Sequence, residues 1–176
     1  ADQLFSKESD YDSARSIIDA LLQKDSLPPE LNIKCMKLKG NIRIRQGEVD
    51  QAIADFQKAV ILSKDNDQTV HLIMSTNGLG WAYKTLGDME QALKYYKEAR
   101  ELYHKVNKQK QDLLKKDYGL ILNNLAFLLS DNNSTREAAI GMANSAILHW
   151  KKIGNEIGLA TGYQVQGVCY YRTDHT

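Results

Sequence analysis

The chain has 176 residues, 43% apolar, 26% charged and 8% aromatic, and its 23 Lys and Arg against 22 Asp and Glu leave a formal net charge of +1. That balance suits one folded domain or a short repeat array with a continuous core, and excludes a disordered charged tail and a strongly basic nucleic-acid binder. No uncharged apolar run reaches the ~18 residues a membrane helix needs, which excludes a transmembrane span. The start, Ala1-Asp2-Gln3-Leu4, has no basic segment followed by an apolar one, so no signal peptide is read there. Cys35 and Cys169 lie far apart and form no metal or redox motif, which points to a reducing, cytoplasmic home.

In chain order, Tyr11-Asp12-Ser13-Ala14 aligns with Val49-Asp50-Gln51-Ala52, and Ile18 and Leu21 fall where Phe56 and Ala59 do. Residues 10–24 are therefore expected to be the second helix of a hairpin, with residues 1–7 as its partner and Phe5 in the aromatic position. The only two prolines, Pro28 and Pro29, stand just before the next unit, so little interrupts helix elsewhere. Lys39-Gly40-Asn41-Ile42-Arg43 then aligns with Leu79-Gly80-Trp81-Ala82-Tyr83. Gly40 and Gly80, Gly47 and Gly87, Ala52 and Ala92, Phe56 and Tyr96, and Ala59 and Ala99 all share one offset of 40 residues. A repeat of that length reads as two antiparallel helices. In the second copy Leu72, Leu79, Gly80 and Tyr83 mark one helix face, and Gly87 ends that helix by accepting a left-handed conformation. Glu90 opens the next helix, whose buried stripe is Ala92, Leu93, Tyr96, Ala99 and Leu102. Small residues at Gly80, Ala92 and Ala99 let the helices approach closely; a bulky residue at Ala92 is expected to cost roughly 1–3 kcal/mol.

Residues 104–116 lengthen the spacing to the third copy and hold five lysines (Lys105, Lys108, Lys110, Lys115, Lys116) and one acid, Asp112. This reads as a basic elbow on a longer helix, either a solvated face or a contact for an acidic partner or nucleic acid. The third copy follows through Leu125-Ala126, Ala139, Ala143 and Ala146. Between its helices Asp131-Asn132-Asn133-Ser134-Thr135 reads as a turn, with Ser134 or Thr135 as helix cap. A fourth opens with Gly167 and Tyr170, and residues 159–172 make a first helix with no second helix after it. Its apolar face is unlike a polar capping helix, so a segment of a longer array is expected. The alternative is a short protein whose open end pairs with a second copy.

The Leu79, Gly80, Tyr83, Gly87, Ala92, Tyr96, Ala99 series resembles the tetratricopeptide repeat family. The first repeat departs from the family pattern at Lys39 and Arg43, and the third at Leu129 and Met142. The long period is similar to the branch seen in kinesin light chain, in cell-polarity adaptors and in the arms of maltose-regulator-type signalling ATPases. Asn123-Asn124-Leu125-Ala126 is also similar to kinesin light chain repeats. The resemblance implies an all-α fold, a right-handed solenoid of antiparallel helix hairpins. One array is expected over 1–176: a partial repeat at 1–30, repeats at 31–70, 71–116 (with the basic linker) and 117–158, and the first helix of a fourth at 159–176.

In such an array the first helices line a concave groove. Counting from each glycine or alanine landmark places Lys34, Lys37, Asn41 and Arg45 there in the first repeat, and Asn77, Trp81 and Lys84 in the second. Asn123 and Phe127 follow in the third, and Gln164 and Tyr171 in the fourth. Asn77, Asn123 and Gln164 recur at one position. An amide both donates and accepts, so it can pair with a peptide backbone; it can equally tie neighbouring helices together. Trp81 and Phe127 are anchor-type residues, although Trp81 also suits ordinary helix packing. The cations favour an acidic or extended segment. Lys37 and Asn41 match the first-repeat pair with which clamp members of the family hold a C-terminal carboxylate. Gly78, Leu120 and Asn124 stand where that clamp needs an Asn and basic residues, so the clamp is incomplete.

No glycine-rich phosphate loop occurs, and His71, His104, His149 and His175 lack metal-site spacing. The expectation is a non-enzymatic protein- or peptide-binding scaffold with no cofactor and no metal, no membrane or nucleic-acid partner, and self-association open through its terminal helices. A second reading is the effector-sensing arm of a multidomain signalling ATPase or transcription regulator.

Overall fold

The computed structural model describes residues 2–24 and 26–174, with side chains described over 10–24 and 26–171. All regular structure among the described residues is helical, and the chain forms two compact units, Ala1–Ala92 and Leu93–Thr176.

The first unit contains α1 (Asp2–Leu22), α2 (Pro29–Arg45), α3 (Val49–Asp65) and α4 (Thr69–Leu86). Neighbours in sequence pack together, and α2 also touches α4. Helix α1 is unbroken where two helices were expected, because residues 1–24 contain neither glycine nor proline to end one; Phe5 lies outside the described side chains. Pro29 opens α2 at the first helical position, where its missing N–H costs nothing. Gly47 (φ 81°) closes α2, with Glu48 N–H donating to Arg43 O at 2.8 Å. Gly87 (φ 91°) ends α4 the same way, as its sequence position implies. Asp67 takes the left-handed conformation between α3 and α4 (φ 53°), a turn that no glycine announces. Asp88 then caps α5 (Met89–Lys105), accepting from Gln91 N–H at 2.9 Å.

Phe56 of α3 centres this unit at 1% exposure. It lies between two glycines: a Cβ on Gly40 of α2 would come to 2.9 Å of its ring, and one on Gly78 of α4 to 2.4 Å. Ala52 and Ala59 flank it, fully buried, and so are Ala92, Tyr96 and Ala99 on α5. The first repeat's two departures from the family pattern are answered by carboxylates. Lys39 pairs with Asp19 of α1 at 2.5 Å, and Arg43 with Asp55 of α3 at 2.6 Å. Burial pushes the Asp55 carboxyl up, while Arg43 and Lys39 pull it back.

The second unit takes most of α5, then α6 (Lys108–Leu113), α7 (Lys115–Leu129), a 3-10 turn (Asn133–Thr135), α8 (Arg136–Ile153) and α9 (Glu156–Asp174). The basic elbow is a separate six-residue helix rather than a continuation of α5. Asn107 caps it by accepting from Lys110 N–H at 3.0 Å, and Gln111 ties it to the Tyr103 and Val106 carbonyls at 3.3 Å each. The turn before α8 is capped differently from expectation. Asn132 accepts from Ser134 N–H at 2.9 Å, while the Thr135 hydroxyl donates to Leu129 O at 2.7 Å and caps nothing. Gly154 (φ 67°) separates α8 from α9, and Asn155 caps α9 through Gly158 N–H at 2.8 Å.

Helix α8 packs on both α7 and α9, and α7 also touches α9. Ala126, Ala139, Ala143 and Cys169 form one cluster, with Leu122, Ala146 and Trp150 beside it. Trp150, 2% exposed, lies between Gly119 of α7 and Gly158 of α9, where added Cβ atoms would come to 2.3 Å and 2.4 Å of the indole. An aromatic residue on a second helix, held between glycines of two first helices, thus organises both units.

Candidate protein-binding faces

In the first unit the face made by α2 and α4 gathers most of the expected residues. Arg45 is exposed, its guanidinium 5.9 Å from the Trp81 ring centroid, and Trp81 and Asn41 are half-buried beside it. Asn77 is half-buried, and its Oδ1 is closed to solvent and accepts no hydrogen bond. Lys84 is half-buried too, and burial pushes its ammonium pKa down. Lys34 is exposed and paired with Glu30 at 2.5 Å. Helix α4 carries no Asp or Glu, and Glu30 is the one acid of α2 against five cations.

Lys37 is placed differently from the groove-lining expectation. It is 9% exposed, and its ammonium points at α4, donating to His71 Nδ1 at 3.4 Å with Met74 Sδ at 3.1 Å. The reason is packing: α2 and α4 touch, so a residue between them loses solvent. His71 is held below its ordinary pKa, first by burial and then by Lys37, with Glu30 at 3.7 Å opposing. Leu31 and Leu38 of α2, 40% and 53% exposed, are apolar surface that counting from the landmark glycine passed over. Their spacing of seven residues was the available signal. Gly78 explains why the carboxylate clamp is incomplete: a side chain there would collide with Phe56.

In the second unit Phe127 is half-buried, and Gln164 and Tyr171 are exposed. Asn123 corrects the idea of a uniform amide ladder. It is 4% exposed, and neither Nδ2 nor Oδ1 has a hydrogen-bond partner, so it neither meets solvent nor ties helices together. An unsatisfied buried amide costs on the order of 1–3 kcal/mol.

Among the described residues no group of three or more His, Cys, Asp or Glu is placed to hold a metal ion, and no helix is long and apolar enough to cross a membrane. His149 Nε2 donates to Lys115 O at 2.7 Å, and His104 Nε2 lies 3.2 Å from the Tyr118 hydroxyl. Cys35 and Cys169 are free and buried, and burial pushes the Cys35 thiol up.

Helical hairpins joined by left-handed turns, with small residues at the helix crossings, define a helical-repeat protein. The tetratricopeptide repeat family model matches residues 34–105, the stretch that holds the two hairpins aligned at a 40-residue offset. Two solved structures share the fold. The crystal structure of BtubC (BKLC) from P. vanneervenii aligns at 18% identity and TM-score 0.60, over 99% of this chain and 78% of that one. The nearly identical TPR-like repeats of a protein described as a kinesin light chain from Podosopora anserina align at 13% identity and TM-score 0.63, over 98% and 86%. No curated protein matches the sequence.

Proposed function

We propose that the chain is a non-enzymatic scaffold whose α2–α4 face binds an extended, acidic protein segment. Tetratricopeptide repeats generally mediate contacts between proteins, and the first unit has the chemistry for one. The observation that carries this reading is the combination on one face of Trp81 beneath the Arg45 guanidinium, an Asn77 oxygen with no partner, and a helix α4 without a single acid. An aromatic ring supplies anchoring area, the amide offers backbone pairing after a small side-chain rotation, and the cations select acidic partners. Phe127, Gln164 and Tyr171 offer the second unit its own contact surface. The buried free thiols fit a reducing cytoplasm.

The test compares proteins captured from a source-cell lysate by the immobilised chain and by an Asn77→Ala, Trp81→Ala variant of equal helix content. Partners held by the first and lost by the second support the reading. Identical capture by both overturns it.

A further inference from the structure

The second unit carries a charged surface that the α2–α4 face does not explain. Three basic helix ends meet there: the close of α5 with His104 and Lys105, the elbow and start of α7 with Lys108, Lys110, Lys115 and Lys116, and the close of α8 with Lys151 and Lys152. A run of rings fastens them together. Tyr103 stacks on Tyr118 at 3.9 Å and 9°, and His104 and His149 meet the Tyr118 ring edge-on at 5.5 Å and 5.2 Å. The bond from His149 to Lys115 O fixes α8 to the elbow. Asp112 is shared between Lys108 at 2.8 Å and Lys115 at 3.4 Å, and Glu101, one turn before Lys105, Asp117 and Glu156 are further acids at this end. Lys105, Lys116 and Lys152 are exposed and form no ion pair among the described residues. An open cavity of about 420 Å³ is lined by Lys116, Ile153, Gly154, Asn155, Glu156 and Ile157, and Ile157 is 83% exposed.

We propose that this end of the second unit is a separate docking site for an acidic partner segment that places one apolar side chain against Ile153 and Ile157 and its carboxylates on Lys105, Lys116 and Lys152. Charge complementarity selects the acid, and the exposed Ile157 at the open hollow beside Lys116 favours an apolar residue. Ile157 is a lone exposed apolar residue at an open hollow among lysines, which suits contact with one apolar side chain. Glu156 would oppose an unbroken polyanion such as a nucleic-acid backbone, whereas a peptide can put a neutral residue there.

The probe is a short fluorescein-labelled peptide of repeated Glu-Glu-Leu, read by anisotropy at low salt against the full chain. Its counterpart replaces every Leu by Ser. The leucine peptide should bind, and the triple variant Lys105→Gln, Lys116→Gln, Lys152→Gln should weaken it roughly tenfold, as three exposed charges together can. Ile157→Ser should weaken the leucine peptide and leave the serine peptide unchanged. The Asn77→Ala, Trp81→Ala variant should bind the probe as the native chain does, which separates this site from the α2–α4 face. No binding of the leucine peptide, or equal binding of both peptides, overturns the proposal. So does tighter, lysine-dependent binding of phosphatidylserine vesicles or of a single-stranded oligonucleotide.

Discussion

Phe56 and Trp150 do the same work in the two units, but at different heights in the hairpin. In the first unit the ring meets the landmark glycine itself, Gly40, and then Gly78 of the next first helix. In the second unit the corresponding level is filled by small residues: Ala126 meets Ala139 and Ala143, and Cys169 closes the gap. The ring has moved seven residues along each helix, to Trp150 and Gly119, which is two turns or about 10 Å. A hairpin therefore needs one large residue facing glycines, and the repeat does not dictate where along its length that residue sits.

The largest effects should come from removing the two rings. Phe56→Ala and Trp150→Ala are each expected to cost about 3–5 kcal/mol in urea unfolding, since each leaves a void lined by helix backbone that cannot close. A loss below about 1 kcal/mol at either would break the equivalence of the two units. Next come the glycines. Gly78→Ala and Gly119→Ala force a methyl group into the Phe56 and Trp150 rings and should cost roughly 1–3 kcal/mol. Gly141 and Gly167 are internal controls: both are helical, and nothing lies within 4 Å of an added Cβ. Alanine at either should stabilise by up to about 1 kcal/mol through helix propensity. Destabilisation at the controls would show that close ring contact is not what the glycines at 78 and 119 are for.

This difference between the units also marks what was legible in the sequence. The first hairpin could be read because Gly40, Ala52, Phe56 and Ala59 recur forty residues on, and small residues at helix crossings have a physical reason to recur. Trp150 escaped the same reading because its two glycines lie off the repeat register. The turn at Asp67 escaped because a left-handed aspartate leaves no glycine as a sign. Among the candidate site residues, spacing expected Arg45, Asn77 and Trp81 to line a groove, and they lie on the face made by α2 and α4. It could not tell that α4 covers Lys37 or that Asn123 is sealed from solvent, since burial depends on the neighbouring helix and not on the helix's own period.

Asn123 gives a test that separates stability from binding. Its amide is buried with both polar atoms unpaired, so Asn123→Leu, close to it in shape, should raise stability by ~1–2 kcal/mol. If the side chain matters only through burial, the variant gains stability and captures the same partners. Loss of partners together with that gain would mean that Asn123 opens to a ligand. A fall in stability would mean that the amide has a partner, such as a bound water, in solution.

The smallest effect concerns acid. His71 in the first unit and His104 in the second are both held below the ordinary value of 6.5, in each case first by burial. Lys37 and Lys34 add to the shift at His71 while Glu30 opposes it, and Arg100 adds to it at His104. A histidine whose folded pKa is lowered binds fewer protons than its unfolded counterpart across the interval between the two values. The stabilisation from each is thus full above pH 6.5 and is lost as pH falls below it. Urea midpoints should decline between pH 7.5 and 5.5. His71→Gln should remove part of the decline, and adding His104→Gln should remove more. The two units differ in what protonation would break. At His71 it would set an imidazolium 3.4 Å from the Lys37 ammonium, whereas at His104 the Tyr118 hydroxyl can turn its oxygen to accept from the new N–H. His71→Gln should therefore flatten the profile more than His104→Gln does, and the reverse order would place the acid-sensitive contact in the ring cluster of the second unit.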